Sequence, residues 1–542
     1  MTGLPWRLYL SLRKLSLSYL SKEQANTLYE KSIDKIQRRA RGNPTTLRNG
    51  QVSAAAQCPY KHPLLKRTFE LNNSLRNATN AEFAWVMQAL QHSVSVEAYD
   101  IGIGLARLLI DNDNQLSSAE RATVFQHIAA TLIACGQGDE ARRLAVRWAG
   151  SLPSNDVIAS LKISLLPDAV TGDRSAMILP SGKLNALRMS TAIQTGRMSP
   201  EQALDFYFDR QSLFDSNPQN YLCLFNAWRK VDLTLATTFF NKFTGHYRIP
   251  PVVIDAIGDN VLQGVSFVGD RRLLDGPLVS IVMGSFGGAA TLAYSVGSLL
   301  QQTYRNIEVL VVDDQSDDDS VRQLKAIAAD DSRLRLFKSV NNQGVYNIRN
   351  ALIERAEGQF ITFHDSDDLS IPSRIEIQFH ALITSGRPLC YGRWIRITPD
   401  GRAVFFRDQA ALRMCVVSLF AHRDVFRWIG PYRRSQFGAD TEFLERAKEA
   451  IGPDGIEAIK TPLNFGLWSD SSLTRKPGIE ALEDGFRSPA RRQYAQSAFL
   501  QRLVGHDIID DREINSQLNQ HGMLREPSEL QALTPASLLR ST

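Results

Sequence analysis

The sequence predicts an α/β protein, with a mostly parallel sheet flanked by helices in its C-terminal half and a mainly α-helical region before it. Two observations carry that expectation. Three apolar, β-branched runs at 278–283, 307–312 and 360–363 alternate with helix-patterned segments, and each ends abruptly in a polar cluster. Upstream, Phe83, Val86, Met87 and Leu90 fall at helical spacing, and 98–110 and 118–135 continue the pattern, with Ser117 or Ser118 as a helix start. Ligands of a parallel sheet lie beyond the carboxyl ends of its strands, so the three polar clusters are expected to gather at one edge as one site.

The third cluster is the most informative. Asp365-Ser366-Asp367-Asp368 places three carboxylates within four residues at the end of an apolar run. Carboxylates this close take up protons unless a cation sits among them, and a divalent ion such as Mg2+ or Mn2+ is the usual answer. In an extended chain Asp365 and Asp367 share a face while Asp368 faces elsewhere. A metal held by so few protein oxygens keeps positions open for a pyrophosphate. Standing alone, the run would read as a solvated acidic turn. It repeats the design of 307–314, where Ile307-Glu308-Val309-Leu310-Val311-Val312 ends in Asp313-Asp314, and follows the glycine-rich turn Gly284-Ser285-Phe286-Gly287-Gly288.

At 542 residues, with 43% hydrophobic and 22% charged residues, the chain has material for more than one core. We divide it into an amphipathic helical start and linker (1–60), a mainly helical domain with a tetratricopeptide-like junction at Gly138-Asp139-Glu140-Ala141 (61–250), a connector (251–276), the sheet domain (277–476) and a helical C-terminal extension (477–542). A net charge of +5 is small for this length and gives no support to nucleic-acid binding. Five scattered cysteines, Cys58, Cys135, Cys223, Cys390 and Cys415, imply neither a disulfide framework nor a metal knot, which suits a reducing cytoplasm. No signal-peptide core stands at the N-terminus and no run reaches about 18 apolar residues, so no membrane span is expected. Trp6, Arg7, Arg13 and Lys14 among leucines suit either contact with the anionic inner face of a membrane or a helix docked on the protein itself. The preceding helices could also bind a protein partner.

From 278 to 474 the chain resembles the family 2 glycosyltransferases, inverting enzymes with the GT-A nucleotide-sugar-binding fold. The resemblance is an ordered series: Ser280-Ile281-Val282-Met283, Ser298 to Glu308, Val312-Asp313-Asp314, Asn342 to Asn350, Asp365-Ser366-Asp367-Asp368 and Pro372-Ser373-Arg374-Ile375-Glu376. It implies a nucleotide-sugar site made of Ser285, Phe286, Asp313, Asp314, Arg349, Asp365 and Ser366. A carboxylate at 313 or 314 would accept hydrogen bonds from the base, although either could instead cap the next helix. Arg349 would face the nucleotide or diphosphate. Ile348 replaces the family's usual alanine, and with Leu352 and Ala356 can form a buried stripe. The metal would be held by Asp367, with Asp365 and Asp368.

Phe437-Gly438-Ala439-Asp440-Thr441-Glu442-Phe443 resembles the family's Gly-Glu-Asp-x-Glu-Phe element, which makes Asp440 the implied catalytic base and Glu442 a second candidate. Asp440 reads equally as the N-cap of a helix over 441–450. In the closing segment Trp468 to Thr474, Asp470 stands near the place where the family often has a histidine, and Trp394, Arg396 and Trp428 suit either an acceptor pocket or the core. The implied activity is metal-dependent transfer from a UDP-sugar or related donor to a glycan or lipid-linked acceptor in cell-surface polysaccharide synthesis. Two alternatives remain open at this point: an inactive transferase-like scaffold, and a receiver-type signalling domain.

Overall fold

The computed structural model describes parts of 86–152, residues 177–504 apart from 270–273 and 407–409, and residues 539–541. The amphipathic start with Trp6, Arg7, Arg13 and Lys14, and Cys58, lie outside the described residues. We number the strands in chain order, and the helices of seven or more residues likewise.

The first helical group is α1 (Tyr99–Asp111), α2 (Ser118–Ala134) and α3 (Gly138–Arg147). Ser117 is the N-cap of α2 and forms a capping box with Glu120: the Glu120 amide donates to Ser117 Oγ at 3.3 Å and the Ser117 amide donates to Glu120 Oε2 at 2.9 Å. These helices bury Leu109, Phe125, Ile128, Leu132 and Trp148 in a core of their own.

The second group is α4 (Ala186–Gln194), α5 (Pro200–Asp209), α6 (Tyr221–Trp228) and α7 (Leu233–His246), followed by a hairpin of β1 (Val252–Ile254) and β2 (Val265–Phe267). It shares one core with the sheet. Phe225, Phe240, Val252 and Leu262 pack in the same cluster as Leu369, Ile395, Leu463 and Phe465. Buried Asn226 bridges both groups of the Ala403 peptide, donating to its carbonyl at 2.8 Å and accepting from its amide at 2.7 Å. Composition marks a boundary between 250 and 277, but the apolar core runs across it.

The large sheet has nine strands in the order β11-β5-β4-β3-β6-β9-β8-β10-β7. Its strands are β3 (Val279–Ser285), β4 (Ile307–Asp313), β5 (Leu334–Ser339), β6 (Phe360–Asp365), β7 (Leu369–Ser370), β8 (Leu389–Ile397), β9 (Leu412–His422), β10 (Ile456–Leu467) and β11 (Leu539–Ser541). Strands β5, β4, β3 and β6 are mutually parallel, and β10 runs parallel to β8, while β9 is antiparallel to both its neighbours. The parallel half is wound with α8 (Leu292–Leu300), α9 (Ser320–Asp330) and α10 (Val345–Arg355) between successive strands; α11 (Arg374–Ser385), α12 (Arg423–Ile429), α13 (Ala439–Ile451) and α14 (Pro489–Val504) follow. Burial on both faces explains why β4 is apolar from Val309 to Val312: all seven of its residues are buried. The chain leaves β3 toward β4 and β5, then returns to place β6 on the other side of β3. That reversal is where open α/β sheets bind ligands.

The base of this sheet is tightly tied. Glu308 accepts from Ser280 Oγ at 2.5 Å and from the Glu357 amide at 2.7 Å and pairs with Arg335 at 2.7 Å, while Gly358 donates to Ser280 Oγ at 2.9 Å. A Cβ on Gly358 would stand 2.6 Å from the Ser280 amide nitrogen and 2.8 Å from the Leu278 carbonyl oxygen. Gly358→Ala is therefore expected to lower unfolding stability by about 1–3 kcal/mol, read as a fall in denaturant midpoint.

Candidate active site

Strand register assembles the site. Ser285 on β3 lies beside Asp313 on β4, and Gly284 beside Asp365 on β6. Adjacent strands are about 4.8 Å apart, so one crevice receives all three strand ends. Ser285 and Asp313 are buried, and Ser285 Oγ and Asp313 Oδ1 have no hydrogen-bond partner. Asp313 Oδ2 accepts from the Ser316 amide at 3.3 Å. Phe286, by contrast, is 57% exposed at the crevice mouth. The glycine turn is pinned from the β4 side, its amides at 287, 288 and 289 donating to Ser316, Ser320 and Asp318.

Asp313 and Asp314 have different duties. Asp314 accepts from Ser339 Oγ at 2.7 Å, from the Gln343 amide at 2.8 Å and from the Gly344 amide at 2.9 Å. Its carboxylate thus closes the N-terminus of α10, whose N-cap Gly344 has φ +77°. The helix it serves is not the next one in sequence but the one after β5.

Arg349 projects from α10 but not to the surface. It is 3% exposed, lies 5.4 Å from the Tyr346 ring centroid, 5.4 Å from Phe363 and 5.9 Å from Tyr432, and donates to Asp365 Oδ1 at 2.8 Å. Burial opposes its charge, but Asp365 and the surrounding groups more than restore it and hold its proton affinity above the ordinary arginine value. Ile348 sits beneath, with a methyl 3.4 Å from where a Gly284 Cβ would be, so its bulk fills space that glycine leaves open.

The acid turn is held through its backbone. Tyr294 Oη donates to the Asp367 carbonyl at 2.7 Å and Ser295 Oγ to that of Asp365 at 3.1 Å. Beneath it His364 accepts from Arg374 Nη1 at 2.9 Å, so its other nitrogen carries the proton and donates to the Asp368 carbonyl at 3.1 Å. Burial and the Arg374 charge push His364 well below its ordinary pKa and keep it neutral. The carboxylates themselves are left short of countercharge. Burial and Asp365 push Asp367 up to about 6. Asp368 is fully buried, neither of its oxygens has a hydrogen-bond partner, and Arg396 approaches only to 3.7 Å; burial and Asp367 push it well above the usual carboxylate range. Ser366, between them, is half-buried. Among the described residues no group of three or more His, Cys, Asp or Glu side chains is arranged to hold a metal ion. What the turn offers is one or two carboxylates with unmatched charge, which fits a cation completed by phosphate oxygens.

Asp440 lies in the first turn of α13. The helix starts at Ala439 behind Gly438, which takes φ +76°, so Asp440 is not its N-cap. Its Oδ1 accepts from the Thr441 amide at 2.8 Å, and its charge acts on Tyr346, Arg349 and Tyr432. Glu442 is committed elsewhere. Its side chain is 1% exposed and is gripped by Arg446 at 2.8 and 2.9 Å and Arg433 at 3.1 Å. Glu442→Gln should leave both guanidinium groups short of charge and cost about 3–5 kcal/mol of stability, measured by urea unfolding.

Arg396 lies 3.5 Å from the Trp394 ring centroid and 5.6 Å from Trp468, forming one wall beside Asp368. Asp470 is 93% exposed and pairs with Arg475 at 2.7 Å. The side chain of Trp428 lies outside the described residues. Sequence reasoning missed Tyr346 and Tyr432, which enclose Arg349; a tyrosine three residues before Arg349 on one helix face was the available signal.

The profile described as glycosyl transferase family 2 matches residues 280–439. A UDP-Glc:alpha-D-GlcNAc-diphosphoundecaprenol beta-1,3-glucosyltransferase of Escherichia coli, WfgD, is 36% identical over 121 residues, which are 22% of this chain and 47% of that protein. A second Escherichia coli enzyme of the same description, WfaP, is 36% identical over 107 residues, 20% of this chain and 42% of the relative. The chain thus spans about half the length of these relatives or less. The structure of S. aureus TarS in complex with UDP-GlcNAc aligns with a TM-score of 0.33 at 15% identity, over 47% of this chain and 76% of that one. Residues 280–439 of this chain are a glycosyl transferase family 2 domain.

Proposed function

We propose that this chain transfers a sugar, with inversion, from a nucleoside diphosphate donor, a UDP-sugar, to a lipid-linked or glycan acceptor in cell-surface polysaccharide synthesis. The observation that carries the reading is the register of β3, β4 and β6, which gathers the unpartnered Ser285 Oγ and Asp313 Oδ1 beside the under-neutralised acid turn. Asp313 accepts hydrogen bonds from the base while Phe286 covers it at the mouth. Arg349 holds Asp365 in place and contributes positive charge near the diphosphate. Mg2+ or Mn2+, held by Asp367 with help from Asp365 and Asp368, would supply charge neutralisation for the departing diphosphate. Asp440 takes the proton of the acceptor hydroxyl. Glu442 keeps α13 and Arg433 in position. A diphosphoundecaprenol-linked acceptor, as named for the Escherichia coli relatives, would put the work at the inner membrane face. Among the described residues no helix is long and apolar enough to cross a membrane.

The test is nucleoside diphosphate release from a panel of UDP-, GDP- and CDP-sugars in Mn2+, with polyprenyl-diphosphate-linked sugars as acceptors. Acceptor-dependent UDP release supports the reading. Binding without release from any donor would instead make the chain an inactive scaffold.

A further inference from the structure

The segment after the family match returns to the site. Ile479, Ala490 and Tyr494 belong to the same core as Phe437, Ala439 and Phe443. On α14, Tyr494 and Arg491 are three residues apart and share a face. The Tyr494 ring lies 3.2 Å from where a Gly438 Cβ would stand, and 5.9 Å from the Phe437 ring centroid. The Arg491 guanidinium stacks 4.9 Å from Phe437, and its Nε donates to the Ile479 carbonyl at 2.5 Å. Both residues therefore seat on the turn that starts α13, two or three positions before Asp440. Yet Arg491 Nη2 and Tyr494 Oη are buried without hydrogen-bond partners, although Tyr494 is only 8% exposed. The Asp440 charge acts on both of them.

Something else holds α14 in that position. The Arg487 amide donates to the Ala134 carbonyl at 3.1 Å, Arg492 Nη1 donates to the same carbonyl at 3.2 Å, and Arg487 pairs with Glu97 at 3.5 Å. Gly136, in the turn between α2 and α3, lies against Phe486. The N-terminal helices thus grip the segment that leads into α14.

We propose that Arg491 and Tyr494 are positioning residues for transfer, fixing the Phe437-Gly438 turn from which α13 and its Asp440 start, with α14 held in place by the N-terminal helices. This rests on the reading of Asp440 as proton acceptor. The Asp440 charge acts on Arg349 and Tyr346 of α10, on Tyr432, and on Arg491 and Tyr494 of α14, and Glu442, Arg433 and Arg446 act on Tyr494.

In the full chain, Arg491→Gln is expected to lower kcat about tenfold and to leave donor KM within about twofold, with Arg491→Lys restoring kcat. Tyr494→Phe keeps the ring on Gly438 and removes only the unpartnered hydroxyl; it is expected to lower kcat about threefold with the melting temperature unchanged. Should Arg491→Gln not fold, Tyr494→Phe decides. Unaltered kcat in Tyr494→Phe and in Arg491→Gln where it folds, with Asp440→Asn inactive, would overturn this inference alone. An active Asp440→Asn would overturn both it and the assigned base.

Discussion

Asp440→Asn is expected to lose about 10²- to 10⁴-fold in kcat while binding the donor as before. The amide has the size of the carboxylate and can still accept from Thr441, so α13 should keep its start. What it loses is the capacity to take a proton. Glu442 cannot take over, since Arg446 and Arg433 occupy both of its oxygens inside the protein. Asp440 itself stands in the first turn of α13. Steady-state rates of UDP release with donor and acceptor varied separately would separate the loss in kcat from any change in donor KM.

Asp367→Ala is expected to reduce turnover by about 10³-fold or more and to leave the fold intact. The two effects part because the turn is held by its carbonyls. Tyr294 bonds the Asp367 backbone, and an alanine keeps that bond. Its carboxylate, by contrast, is repelled by Asp365 and raised by burial, so removing it relieves the free protein of an unfavourable charge. Thermal unfolding should therefore match or exceed that of the unaltered chain while UDP release disappears. Normal turnover by this variant would remove Asp367 from the site.

The parallel half of the fold was legible because its strands are buried on both faces. Val309-Leu310-Val311-Val312 and Phe360-Ile361-Thr362-Phe363 are largely apolar runs, and the aspartates that follow mark the carboxyl edge of the sheet. The other half was not. Strand β9 carries Arg413, Ser418 and His422 among its apolar residues, and β10 carries charges at Glu457 and Lys460 before its buried end, so neither gives a clean period. At the site, sequence gathered Asp313, Arg349, Asp365 and Asp440 through their order along the chain. It could not divide Asp313 from Asp314, because what separates them is a helix terminus some thirty residues further on. Nor could it separate Asp440 from Glu442, since that depends on where Arg433 and Arg446 reach. Arg491 and Tyr494 lay beyond any motif, on a helix whose pattern says only that one face is buried.

The central claim is that the ends of β3, β4 and β6 form a nucleoside diphosphate site completed by a divalent cation. Titration calorimetry of UDP into the full chain, with and without Mn2+, tests it most directly. The account predicts a single site per chain that requires Mn2+, weakened by Asp313→Asn and lost in Asp367→Ala. Absence of binding by UDP, GDP and CDP alike in saturating Mn2+ and Mg2+, with the chain folded, would contradict it.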